Sequence, residues 1–168
     1  MKYTQPLTQS KVLLALAVTL MSTAGISTAA LAGDAKVYVG SMCDPAQGTD
    51  VSNVNRNGGI FNNSNNPVLV RCPIVRDITG SSDNSFNGPF ATIQLQRFGT
   101  PPSATTQCQM RTYQANGNVF SERISSVTTS AGDFTINIAA VPQSPGGAYE
   151  ISCSLPPLTG LERYIVTE

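Results

Sequence analysis

The chain has 168 residues, with ten basic side chains, ten acidic side chains and no histidine. The lack of histidine excludes Ser-His-Asp and Cys-His catalysis, histidine-ligated zinc and haem held by histidine. The charges are scattered along the chain and form no basic stripe, so we expect no nucleic-acid partner.

The first 32 residues carry the pattern of a cleaved export signal. A polar leader with Lys2 and Lys11 precedes the apolar run Val12–Met21, and Ala30 and Ala32 place small side chains at positions −3 and −1 of a cleavage site. A membrane anchor is the alternative, but the run is much shorter than the roughly 20 residues of a spanning helix. We therefore expect a signal peptide over residues 1–32. The secreted domain, periplasmic or extracellular, then covers residues 33–168 without a membrane span.

Strands are the elements predicted after residue 33, because apolar side chains recur at every second position. In chain order, strands or alternating apolar positions are expected at Lys36–Val39, Ile60–Phe61, Val68/Val70/Cys72/Ile74, Ala91/Ile93/Leu95, Cys108/Met110, Val119–Val127, Phe134/Ile136/Ile138, Tyr149/Ile151/Cys153/Leu155 and Arg163–Thr167. This gives eight or nine strands and no amphipathic helix.

The alternation predicts sheets with one packed face and one wetted face. Gly and Pro breakers separate the strands, and Asn116-Gly117 is expected to form a hairpin turn because both residues tolerate positive φ. We predict an all-β fold with a single antiparallel β-sandwich domain, Ig-like or jelly-roll-like with Greek-key connections. A barrel is the alternative.

Four cysteines, Cys43, Cys72, Cys108 and Cys153, predict two disulfides in an exported domain. Three pairings are possible, and we favour Cys43–Cys72 with Cys108–Cys153 because sequential pairing closes the shorter loops. Cys72, Cys108 and Cys153 lie in phase with core positions, so we expect buried bonds. A metal site is the alternative, but no histidine or C-x-x-C pair supports one. We expect no metal centre and no cofactor.

Two long irregular stretches, Asp44–Pro67 and Asp77–Phe90, are rich in Asn, Ser and Gly. Connections of this length are often functional but can also be plain surface loops. Asp44 and Asp50 are candidate calcium ligands, since Ca²⁺ prefers oxygen donors; a solvated, turn-rich loop is the alternative. Asn62-Asn63-Ser64 matches the N-glycosylation sequon, and we interpret it as turn chemistry.

Carboxylates are the remaining candidates for catalysis. Glu122, Glu150, Glu162, Asp133 and Asp83 offer acids for a glycosidase-type pair. Glu150 falls on the polar phase of its strand and Glu122 neighbours a basic residue, so solvated surface charges are the alternative. The absence of tryptophan also argues against a glycan cleft, because sugar faces generally stack on aromatic rings. No catalytic residue is assigned.

Four short motifs along the chain resemble those of a group of known proteins. They are Gly40-Ser41-Met42-Cys43, Asn62-Asn63-Ser64, Val70-Arg71-Cys72-Pro73 and Cys153-Ser154-Leu155-Pro156. The chain resembles a loose group of small exported bacterial β proteins with two disulfides, and this resemblance implies a shared fold but no function. It is also similar in general form to fimbrial subunits. Only Gly33–Met42 precedes Cys43 in the processed chain, which is too short for an obvious donor strand.

Three functions follow as hypotheses. The leading one is an exported, non-enzymatic β-sandwich that acts by surface contact with an unknown protein or glycan at the cell surface. The first alternative is a structural subunit of an extracellular fibre, which needs an unpaired edge strand. The second alternative is a carboxylate-dependent hydrolase, which needs two acids in one cleft. The sequence leaves the oligomeric state open.

Overall fold

The computed structural model describes residues 35–47, 52–75, 88–144 and 146–168. These contain eleven strands: β1 (Ala35–Val39), β2 (Asp44–Pro45), β3 (Val54–Asn55), β4 (Ile60–Asn62), β5 (Val68–Ile74), β6 (Phe90–Arg97), β7 (Ala104–Tyr113), β8 (Val119–Thr129), β9 (Gly132–Ile138), β10 (Tyr149–Leu155) and β11 (Thr159–Thr167). The one helical element in these ranges is a 3-10 turn at Gly40–Met42. Over the same ranges, no helix has the length and apolarity to cross a bilayer.

Several predictions fall outside the described residues. The signal peptide with Ala30 and Ala32, the calcium candidate Asp50, the acid Asp83 and most of the Asp77–Phe90 stretch belong to this group. They stay predictions.

The strands form two antiparallel sheets. Sheet A has the order β3-β4-β11-β6-β9, with β1 also paired to β11, and sheet B has the order β2-β5-β10-β7-β8. On one side of β11, β4 pairs with residues 159–161 and β1 pairs with residues 163–167. The chain repeatedly changes sheet between consecutive strands, so neighbours in a sheet are mostly distant in sequence.

The core follows the predicted period of two. Side chains from both sheets, including Val70, Met110 and Ile151 of sheet B and Ile93 and Ile136 of sheet A, form one buried hydrophobic cluster. Each sheet therefore contributes its apolar face, which gives a sandwich-like all-β fold. The predicted fold class is confirmed at this level: an all-β chain with two antiparallel sheets and two disulfides.

Both disulfides are buried. Cys43 pairs with Cys72, and Cys108 pairs with Cys153, which is the pairing that the sequence favours. Cys108 and Cys153 lie directly opposite each other on the neighbouring strands β7 and β10. All four half-cystines are completely buried. The second bond therefore reinforces sheet B from within, on its core face.

Two tyrosines connect the sheets. The rings of Tyr38 on β1 and Tyr164 on β11 stack with their centroids 4.8 Å apart. Their hydroxyls donate hydrogen bonds to carbonyl oxygens near the end of β5, Tyr38 to Val75 at 3.0 Å and Tyr164 to Pro73 at 2.7 Å. A side-chain bond thus crosses from sheet A to sheet B at each ring.

The structure has more strands than the eight or nine expected. β2 and β3 have two residues each, too few to show alternation in the sequence. β11 begins at Thr159, four residues before the predicted start at Arg163. The register shifts between Leu161 and Arg163 in its pairing with β6, and this irregularity interrupts the alternation there.

Candidate functional site

A row of side chains crosses the outer face of sheet A at the β3–β4 edge. Asn55 on β3 is opposite Phe61 on β4, Phe61 is opposite Gly160 on β11, and Gly160 is opposite Gln96 on β6. Residues directly opposite in antiparallel strands share a face. The register therefore brings an amide, an aromatic ring and a glycine side by side on the outside of the sheet.

The ring of Phe61 fills the space that a side chain at position 160 would take. A Cβ added to Gly160 would lie 1.9 Å from Cδ1 of Phe61, and one added to Gly59 would lie 3.0 Å from Cζ. The two glycines therefore let the ring lie close against the sheet. Phe61 stays half-buried, so part of the ring remains available from outside.

A second ring, Phe98, stands next to Phe61. The ring centroids are 5.4 Å apart with the planes tilted by 59°. Leu158, in the turn before β11, positions this ring: the Phe98 N–H donates to the Leu158 carbonyl at 2.9 Å, and the Leu158 N–H donates to the Asn62 carbonyl at 2.8 Å. Leu158 has a φ of 59°, a left-handed conformation that is uncommon for leucine.

Asn62 holds the loop beneath the rings. Its Nδ2 donates to the carbonyls of Asn66 and Leu155, each at 2.8 Å, and its Oδ1 accepts from the Ser64 N–H at 2.9 Å and the Ser64 hydroxyl at 2.6 Å. The side chain is 1% exposed. The Asn-Asn-Ser motif thus forms a turn, as the sequence interpretation has it, with Asn62 committed to internal hydrogen bonds.

Three asparagines and the two rings enclose an open cleft of about 290 Å³ lined by Asn55, Asn57, Phe61, Asn63 and Phe98. We call it the amide–aromatic cleft. All three asparagines are exposed, and the Asn57 N–H donates to Asn55 Oδ1 at 3.0 Å, which shapes the rim. None of the described residues that line the cleft is charged. The cleft offers amide donors, amide acceptors and ring faces without an ionic partner.

The acids of the predicted catalytic set are partly brought together. Asp133 on β9 and Glu162 on β11 line one depression of about 270 Å³ on the outer face of sheet A, together with Gln94 and Thr135. Glu122 and Glu150 lie on sheet B instead. Glu122 pairs with Arg111 at 3.3 Å, and Glu150 lies 4.0 Å from Arg71.

Asp44, the candidate calcium ligand, forms an ion pair with an arginine side chain. Its Oδ1 lies 2.7 Å from Nη2 of Arg56, and both side chains are largely exposed. Within residues 35–47, 52–75, 88–144 and 146–168, no three His, Cys, Asp or Glu side chains cluster in a way that could hold a metal ion.

Sequence reasoning missed Phe61, Phe98 and Gly160 as site residues. The sequence contains part of the signal, because Phe61 lies inside the Asn-rich stretch Asp44–Pro67. What the sequence lacks is the pairing of β4 with β11, since the contacting residues are about a hundred positions apart. No protein-family model matches the chain. The search of curated proteins also found no match.

Proposed function

We propose that this protein is an exported, non-enzymatic β-sandwich module that acts by surface contact, and that the amide–aromatic cleft is its contact site. One observation carries the proposal. Three exposed asparagines and two half-buried phenylalanines converge at one edge of sheet A, where the described lining carries no charge. Convergent polar groups beside exposed ring surface are the features of a small-ligand site.

The ligand class that fits is a neutral glycan. Each asparagine side chain presents one acceptor and two donors, which match the adjacent hydroxyls of a sugar ring. The Phe61 and Phe98 faces supply apolar surface for the C–H side of the sugar, a role that tryptophan often takes. A sulfated or otherwise acidic glycan would gain no ion pair from these residues.

The proposed compartment is outside the cytoplasm. Two buried disulfides are typical of oxidising compartments, and they fit a chain that matures after export. The leader pattern of residues 1–32 supports the same proposal from the sequence.

The proposed architecture is a jelly roll built from β4 to β11. The order β4-β11-β6-β9 in one sheet and β5-β10-β7-β8 in the other supports it, because consecutive strands alternate between sheets except at the β7–β8 hairpin. Eight strands in two Greek keys define this fold, which also occurs in lectins. That analogy alone assigns no function.

A glycan panel tests the proposal. The purified protein is applied to immobilised neutral oligosaccharides, with sulfated oligosaccharides alongside, and the affinity for any hit is measured by calorimetry. We expect Asn63→Ala and Asn57→Ala each to weaken binding about tenfold, since each removes hydrogen bonds to the ligand. Gln107→Ala, at an exposed position on sheet B, should bind as the unmodified protein does. Binding to no neutral glycan, or full binding by the Asn63 variant, would contradict the proposal.

A carboxylate-dependent hydrolase is the second candidate, because Asp133 and Glu162 line one depression. A glycosidase needs such a pair within about 5–10 Å. Release of reducing ends from the same panel would support it, provided that Asp133→Asn and Glu162→Gln each abolish the release. Equal release by these variants would exclude the assignment.

A further inference from the structure

Strand β8 is a long edge strand. It runs for eleven residues, Val119–Thr129, at the end of sheet B, and among the described strands it pairs only with β7. Three of its apolar side chains are about half exposed: Val119 at 50%, Phe120 at 49% and Ile124 at 52%. Monomeric proteins usually keep edge strands short, charged or covered, because an open edge can pair with another strand.

The charges on β8 give limited protection against pairing. Glu122 is engaged by Arg111 on the neighbouring strand, with Nε to Oε2 at 3.3 Å. Arg123 donates from Nη1 to the Glu122 carbonyl at 3.2 Å. No lysine or proline lies in the strand. Serine and threonine occupy five of the remaining positions and fit a paired sheet without repulsion.

We propose that β8 pairs antiparallel with β8 of a second copy, about a two-fold axis through Ile124. Ile124 is the sixth of the eleven residues, so centring the axis there gives full overlap of the two strands. The two Ile124 side chains then meet, and Phe120 of each copy lies opposite Thr128 of the other. Exposed apolar surface on both strands is buried at the contact.

The charge pattern is compatible with this register and disfavours two neighbouring registers. With the axis at Ile124, Glu122 is opposite Ser126 and Arg123 is opposite Ser125 of the second copy. An axis at Glu122 or at Arg123 would instead place two like charges directly opposite each other, which is destabilising. Side chains alternate between the two faces of a strand. Only a register that pairs even-numbered residues with even-numbered residues therefore keeps the core faces of the two sheets on the same side.

The resulting assembly is closed. The contact uses the same strand on both copies, so it joins the two five-stranded sheets into one ten-stranded sheet and leaves neither β8 edge free. The amide–aromatic cleft lies at the β3–β4 edge of sheet A, whereas the chain passes from β8 directly to β9 at the opposite edge. The pairing therefore leaves both clefts open.

The first test is the oligomeric state of the processed protein, measured by sedimentation equilibrium over a range of concentrations. We expect a monomer–dimer equilibrium that Ile124→Lys weakens about 100-fold, because two lysines then face each other at the axis. Val37→Lys is the matched control. Val37 is 62% exposed on β1, an edge strand of the other sheet, and its variant should dimerise normally. Intact disulfides and an unchanged far-ultraviolet circular dichroism spectrum verify folding.

The second test fixes the register by cross-linking. Ile124→Cys places two thiols opposite each other with Cα atoms about 5 Å apart, within reach of a disulfide. Ser126→Cys places its two thiols about 14 Å apart along the strands, too far to bond. We expect a covalent dimer on non-reducing gels for the first variant and none for the second.

Each result of these two tests either supports or contradicts the β8 pairing. A monomer at all concentrations, an Ile124→Lys variant that associates normally, or equal cross-linking of both cysteine variants would each overturn the proposal. Association beyond the dimer would also overturn it, because it requires a non-closing contact such as that of a fibre. Glycan binding by a strictly monomeric protein would overturn the β8 pairing and leave the proposed function intact.

Discussion

At the scale of single residues, buried polar side chains decide the local structure around the cleft. Asn62 satisfies backbone groups in two separate segments, since it bonds to Asn66 in its own loop and to Leu155 at the end of β10. Its neighbour Asn63 is exposed and lines the cleft. Adjacent asparagines therefore have separate roles, one in stability and one in the proposed contact.

We expect Asn62→Ala to lower the free energy of unfolding by about 3 kcal/mol, because it leaves buried carbonyls and the Ser64 donors without partners. Asn63→Ala is the control and should change it by less than about 0.5 kcal/mol. Urea denaturation followed by circular dichroism measures both. Equal stability of the two variants would show that the Asn62 hydrogen bonds carry no net free energy.

Arg97 shows a residue whose environment the sequence does not predict. The β6 alternation of Ala91, Ile93 and Leu95 continues to position 97, where a charged side chain follows. The structure buries it to 4% exposure, with Nη2 donating to the Pro102 carbonyl at 2.9 Å. Its Nε and Nη1 have no hydrogen-bond partner in the described part of the chain. The period of two extends to this position, but the charge of an arginine alone suggests the surface.

At the scale of elements, the contact of β4 with β11 forms the cleft. Phe61 covers Gly160 across the strand pair, so the smallest residue on one strand accommodates the largest on the other. An aromatic ring packed over a strand glycine shields the backbone there and fixes the ring. The geometry of the cleft therefore depends on a residue that does not line it.

We expect Gly160→Ala to lower the free energy of unfolding by about 1–3 kcal/mol, because the new methyl group overlaps the Phe61 ring. It should also weaken binding of any glycan that the cleft recognises. Thermal denaturation and calorimetry measure the two effects. Adding Phe61→Leu should recover part of the stability without restoring binding, as residues in contact are not additive. A Gly160→Ala variant of unchanged stability would contradict this packing.

The sequence predicts these elements better than their arrangement. Alternation identifies β5, β6, β9 and β10, because each has one packed face and the period of two is a local signal. It misses β2 and β3, which have two residues each. The cleft could not be predicted because it depends on strand order: β4, β11 and β6 are neighbours in sheet A but distant along the chain. Cysteine spacing partly compensates, since it favours the correct disulfide pairing.

At the scale of the whole molecule, hydrogen bonds from two tyrosine hydroxyls connect the two sheets. Burial raises the pKa of Tyr164 above its ordinary value of 10.0, and the neighbouring Tyr38 raises it further. Only the protonated hydroxyl can donate to the Pro73 carbonyl. The folded protein therefore retains this proton at pH values where the unfolded chain has lost it, and the stability it contributes is fully present below about pH 10.

We expect the free energy of unfolding to fall as the pH rises above about 10, and to fall less steeply in Tyr164→Phe. The same variant should lose about 1 kcal/mol at neutral pH with its hydrogen bond. Urea titrations at pH 7 to 11 measure both effects. Gln107→Ala, at an exposed position on sheet B, is the control and should keep the alkaline slope. An unchanged slope in Tyr164→Phe would assign the effect to other groups.

Gly160 and Thr167 lie at opposite ends of β11, and this determines how the protein can be attached to a solid support. They are seven positions apart, which is about 23 Å at the usual rise of a strand. Gly160 lies under the cleft, and Thr167 pairs with Ala35 at the far end. A carrier or sensor chip attached at the Thr167 end of β11 would therefore leave the cleft away from the support. Coupling through a cysteine that replaces the exposed Thr100, two residues after Phe98, would instead bring the support against the cleft.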